Sequence, residues 1–86
     1  MITLEELQTA LKEDLKPTFL ELEDRSALHH GHKGNPGGLG VTHLKVRISA
    51  PQFENKSPVL LHRAIYQALA PYLAKSLHAV EIQDCL

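Results

Sequence analysis

Histidine is the residue whose number and spacing could do chemistry in this 86-residue chain, which holds six of them. A neutral imidazole is the commonest metal ligand, and either ring nitrogen can coordinate. His29, His30 and His32 crowd one short stretch, while His43, His62 and His78 stand singly. A His-Gly-His run in a loop binds zinc or nickel loosely, as histidine-rich tracts do. No Ser-His-Asp arrangement and no pair of carboxylates stands out. Gly34-Asn-Pro-Gly-Gly38 is no phosphate cradle, because no Gly-Lys-Ser/Thr follows it. Cys85 is the single cysteine, so an internal disulfide is excluded and a reducing compartment is expected. So close to the end of the sequence, it reads as incidental. The chemistry in reach is metal ligation, by a chain expected not to be an enzyme.

Such ligands need elements to hold them. Thr3 and Glu6 read as a capping box, with Ile2 and Leu7 placed for a hydrophobic staple. Leu4, Leu7, Leu11 and Leu15 then repeat at helical spacing, which predicts a helix over 3–15 that Pro17 ends. Thr18 to Asp24 alternates Leu20 and Leu22 with Glu21 and Glu23, the period of a half-buried strand. Residues 26–40 hold five Gly, a Pro and three His, which predicts a long, mobile loop. Val41 to Ile48 alternates again, with Leu44, Val46 and Ile48 on one side and His43, Lys45 and Arg47 on the other. Glu21 and Glu23 complement Lys45 and Arg47, so the two strands are expected to pair antiparallel.

Ser57-Pro58 is an N-cap followed by proline at the first helical position. Leu61, Ile65, Leu69 and Leu73 follow at spacing four, and Pro71 inside the run should kink or shorten the helix. Leu77 to Gln83 reads as a third strand, with His78, Val80 and Ile82 on one face. The order α-β-β-α-β predicts an α+β fold, a two-layer sandwich with both helices on one face of a three-stranded mixed sheet. The passage from 41 to 83 is long enough for a right-handed crossover, making the second and third strands parallel.

Composition narrows the setting. Apolar residues make up 43%, an ordinary globular share, and the length fits one domain over 1–86. Nine Lys+Arg against ten Asp+Glu leave a net charge of −1, whereas a protein held on phosphates is usually more basic. No apolar run approaches the roughly 20 residues of a membrane span. The first residues show no basic segment followed by an apolar one, so a cytoplasmic protein is expected.

Several short motifs in order carry a family resemblance: Thr42-His43-Leu-Lys-Val46, Phe53-Glu-Asn-Lys-Ser57, His62-Arg63-Ala-Ile-Tyr66 and Leu77-His78-Ala79-Val80. Together with the loop from Ser26 to Gly34, they resemble the BolA family in its histidine-containing form, over roughly residues 18–83. The resemblance implies a fold similar to the class II KH domain and partnership with monothiol glutaredoxins. It also implies a [2Fe-2S] cluster shared with the glutaredoxin and its glutathione, ligated by the histidine before the last strand and one ligand near the first loop. Carried over by position, the first of these is His78. The second is His43, His29 or His32. Asn55 stands where the family usually has glycine before Lys-Ser, and asparagine tolerates the left-handed turn required there.

Two histidines would leave the other cluster positions open, so thiolates would come from elsewhere. His43, held on a strand, is preorganised in a way that His29 and His32 are not. His62, one position past Leu61, falls off the apolar stripe and reads as a surface residue. Some members of the family are described as DNA-binding regulators, and the basic candidates for that role are Lys45, Arg47, Lys56 and Arg63. Acidic residues offset them, and the Gly-x-x-Gly loop with which KH domains clamp a nucleic-acid backbone is not evident between the helices. The expectation is an iron–sulfur adaptor, monomeric or weakly dimeric without its cluster, that binds DNA weakly and does not enter membranes.

Overall fold

Thr3 opens the first helix as the sequence requires. In the computed structural model, which describes residues 1–26 and 40–85, α1 runs from Leu4 to Leu15. The Thr3 hydroxyl accepts from the Glu6 N–H at 3.2 Å, and the Thr3 N–H donates to the Glu6 carboxylate at 2.9 Å. Two orphan donors of the first turn are thereby satisfied. Leu7, Leu11 and Leu15 form its buried stripe. The helix ends at Lys16, in the left-handed region at φ 48°, just before Pro17. The Gln52 amide donates to the freed Leu15 carbonyl.

Two strands follow, β1 (Phe19–Asp24) and β2 (His43–Ser49). A 3-10 turn (Pro51–Phe53) leads to α2 (Pro58–Ala68), a short α3 (Ala70–Leu73) and β3 (Ala79–Asp84). The expected interruption at Pro71 is present, with Leu69 closing α2 and opening α3. The sheet order is β1-β2-β3, antiparallel between β1 and β2 and parallel between β2 and β3. This is the α+β architecture read from the sequence. Most of the glycine-rich stretch, with His29, His30 and His32, lies outside the described residues. Among those described, no helix is long and apolar enough to cross a membrane.

The core lies between the sheet and the helices. Leu44, Val46 and Ile48 of the central strand meet Leu7, Leu11 and Leu15 of α1 and Leu61 and Ile65 of α2, all buried. Each such side chain contributes roughly 1.5–3 kcal/mol by leaving water. His43, Lys45 and Arg47 therefore face the side of the sheet away from the helices, which no described element covers, as their alternation requires. The expected charge pairing is partly redistributed. Arg47 pairs with Glu21 at 3.0 Å, but Lys45 pairs with Glu81 of β3 at 3.8 Å, and Glu23 with Arg25 at 3.4 Å. A lysine in the middle strand has a carboxylate strand on either side, and this one takes the partner across the parallel pair.

Gly40 ties the start of the chain to β2. It has φ 68°, Val41 N–H donates to the Ile2 carbonyl at 3.0 Å, and a Cβ at residue 40 would fall 2.3 Å from that oxygen. Gly40→Ala is therefore expected to destabilise the fold by more than about 1 kcal/mol, through left-handed strain and the clash. Thr3→Ala should cost about 1 kcal/mol through the lost cap. Urea unfolding of both variants checks this, and an unchanged midpoint for Gly40→Ala would contradict the described approach of residues 2 and 40.

Candidate metal centre

Parallel pairing brings together histidines far apart in the sequence. His43 begins β2, and in the β2–β3 register it stands beside Ala79. Immediately before that residue, His78 N–H donates to the Thr42 carbonyl at 2.8 Å. The Ala79 N–H reaches the same carbonyl at 3.3 Å. This junction sets the His43 and His78 ring centroids 6.1 Å apart, with the planes inclined at 53°.

His78 is exposed and precedes the regular strand. Alternation places it with Val80 and Ile82, yet those two are half-buried against the core while its ring stands beside His43, which faces the uncovered side. The period of two does not extend to a residue that lies outside the pleat.

A polar network braces the pair from below. Ser26 donates through its hydroxyl to Asp24 Oδ1 at 2.5 Å and through its N–H to the same oxygen at 2.9 Å. The Ser26 Oγ in turn accepts from the N–H groups of Thr42, at 2.9 Å, and His43, at 3.3 Å. The Thr42 hydroxyl lies 3.0 Å from His43 Nδ1. Ser26 and Thr42 are the buried polar residues of the described chain, 8% and 5% exposed. Sequence reasoning overlooked them. The available signal was Asp24-Arg-Ser26, whose acceptor and donors fold back on each other in an Asx-type turn.

Two imidazoles bound to one metal at about 2.0–2.1 Å hold their ring centroids roughly 5–6 Å apart, close to the 6.1 Å separation of His43 and His78. Among the described residues no group of three His, Cys, Asp or Glu comes together. Cys85 does not join the two imidazoles. It follows β3, its N–H bonded to the Ile48 carbonyl at 2.7 Å, at the opposite end of the strand from His78.

The four basic candidates do not converge. Lys45 and Arg47 lie on the uncovered sheet face, each paired with a carboxylate. Arg63 is exposed on α2, in the other layer, beside the exposed His62. Lys56 is exposed in the turn before α2, next to Asn55, which adopts the expected left-handed conformation at φ 63°.

Comparison with known proteins gives the family. A family model described as BolA-like protein matches residues 11–85. The chain belongs to the BolA family. BolA1 from Arabidopsis thaliana has a similar solved structure, with 34% identity and a TM-score of 0.81 over 93% of this chain and 86% of that one. The chain is also 40% identical over 79 residues to SufE-like protein 1, chloroplastic/mitochondrial, of Arabidopsis thaliana, covering 88% of this sequence but only 21% of that protein. It is 32% identical to the DNA-binding transcriptional regulator BolA of Haemophilus influenzae, over 88% of this chain and 69% of that one.

The bracing of this BolA domain separates buried structural side chains from exposed ones. Ser26→Ala is expected to cost about 1–3 kcal/mol, because it leaves the buried Thr42 N–H unpaired. His78→Ala, at an exposed position, should stay within about 0.5 kcal/mol of the parent. Thermal or urea unfolding distinguishes them, and equal effects would contradict the assignment.

Proposed function

We propose that this BolA-like chain is a non-enzymatic partner of a monothiol glutaredoxin that shares a [2Fe-2S] cluster with it, in iron–sulfur trafficking or iron-responsive regulation. The 6.1 Å approach of the His43 and His78 rings is the observation that carries the reading. His78 supplies one imidazole from the start of β3, and His43 supplies the second from the start of β2. Remaining ligands come as thiolates from the glutaredoxin and its glutathione. Histidine in place of cysteine raises the reduction potential of such a cluster, which is the chemistry the shared group supplies. This chain's own part is to hold both rings at one end of a rigid sheet and present them to the partner. The cytoplasmic setting belongs to the proposal, since the chloroplastic/mitochondrial name describes the Arabidopsis relative alone.

The name of the Haemophilus influenzae relative favours a second reading, a nucleic-acid-binding regulator. Lys56 and Arg63 would carry its phosphate contacts, because Lys45 and Arg47 are engaged with Glu81 and Glu21. With two of the four candidates engaged in ion pairs, duplex binding should be weak at physiological salt, with a log–log salt slope near −2 at about −0.9 per neutralised phosphate. Titration of labelled duplex at several salt concentrations checks this, and tight, sequence-selective binding would reverse the order of the two readings.

For the adaptor reading, His78→Ala should leave the apo-complex with a monothiol glutaredoxin intact. It should change the visible circular dichroism of the loaded complex and shorten cluster lifetime. His43→Ala should reproduce that phenotype and the His29→Ala/His32→Ala double variant should not. An unchanged spectrum and lifetime in His78→Ala would defeat the reading.

A further inference from the structure

β3 borders the sheet. β2 lies on one side of it, and among the described residues no strand lies on the other. Successive residues of a bordering strand turn their N–H and C=O groups alternately toward the neighbour and away from it. The Ala79 and Cys85 N–H groups donate to the Thr42 and Ile48 carbonyls at 3.3 and 2.7 Å, so the odd-numbered residues face inward. Val80 and Ile82 therefore turn their backbone groups outward. The Tyr66 hydroxyl reaches the Val80 carbonyl at 3.3 Å, and a carbonyl so engaged keeps a second lone pair.

An edge of this kind recruits another strand unless charge, proline or a covering element prevents it. β1, at the opposite border, is guarded by charge. Its side chains on the uncovered face are Glu21 and Glu23, and antiparallel pairing of two β1 strands about Leu22 would set one against the other. Like charges directly opposite are destabilising. β3 has no such guard. Glu81 and Gln83 lie on its uncovered face, and Val80 and Ile82 are half-buried on the other. Antiparallel pairing of two β3 strands about Ile82 sets Glu81 opposite Gln83, a carboxylate against an amide. Ile82 meets Ile82, and no carboxylate meets a carboxylate.

We propose that the outer edge of β3 is a self-association surface, through which two copies of this chain pair antiparallel about Ile82. The two three-stranded sheets then join into one. Across the axis each Ile82 N–H donates to the Ile82 carbonyl of the other copy, and each Gln83 amide donates to the other copy's Glu81. The two histidine ends point to opposite ends of the joint sheet. A single strand pair buries less than the roughly 1,200 Å² of a standard interface, so the dimer is weak and forms at high protein concentration.

The test is sedimentation equilibrium of the chain without a cluster over a wide concentration range, with amide exchange of Ile82 at both extremes. The parent should dimerise weakly, and protection of the Ile82 amide should rise with concentration. Each cross-strand charge pair occurs twice in the dimer. Gln83→Lys, which sets a lysine opposite Glu81, should therefore tighten association about fivefold, and Gln83→Glu should weaken it about as much. Gln67→Lys and Gln67→Glu change net charge equally at an exposed position on α2 and should leave association near the parent's. A parent that stays monomeric at every concentration would overturn the proposal. So would equal responses at residues 67 and 83, or a dimer in which Ile82 exchange does not depend on concentration, since another surface would then hold the two copies.

Discussion

The parallel pairing of β2 with β3 is the constraint on which the rest of this molecule depends. Parallel neighbours cannot be joined by a tight turn, so the chain must cross over the sheet between them. α2 and α3 make that crossing, and Leu61, Ile65 and Leu69 complete the core under Leu44, Val46 and Ile48. The same pairing decides where chemistry can occur. Both strands start at one end of the sheet, so residues just before or at their first positions become neighbours. His43 and His78 occupy those positions, and the shared Thr42 carbonyl closes the junction.

Electrostatics on the uncovered sheet face work against a broad phosphate-binding surface. The central strand carries Lys45 and Arg47, and the flanking strands carry Glu21, Glu23 and Glu81. Exposed ion pairs of this kind add about 0–1 kcal/mol each, so their effect on stability is small. Their effect on charge is larger, because they neutralise the cations a nucleic acid would need. The end of the sheet where His43 and His78 approach each other is then the distinctive feature of that face.

Much of this was legible in the sequence wherever the determining contacts are local. Thr3 and Glu6 lie within one turn, and the Leu4–Leu15 spacing needs no partner to be read as helical. Pro71 breaks the second helix by its own covalent geometry. Leu44, Val46 and Ile48 announced their buried face by alternation. What escaped was set by tertiary contacts. Lys45 had carboxylates available on two strands, and sequence could not rank them. The face taken by His78 depended on a strand that begins at Ala79, two residues later than the expected start at Leu77. Ser26 and Thr42 look like ordinary loop polar residues until their burial and mutual hydrogen bonds are seen. The approach of His43 to His78 escaped for the same reason: only the register brings them together.

The account's central claim is that this chain gives two imidazole nitrogens, from His43 and His78, to a cluster whose thiolates belong to its partner. Pulsed electron paramagnetic resonance of the reduced complex, with ¹⁵N-histidine in this chain and an unlabelled glutaredoxin, counts those nitrogens directly. The account predicts two strongly coupled ¹⁵N nuclei in the parent and one in either His43→Ala or His78→Ala. Absence of strong ¹⁵N coupling in the loaded parent complex would contradict it.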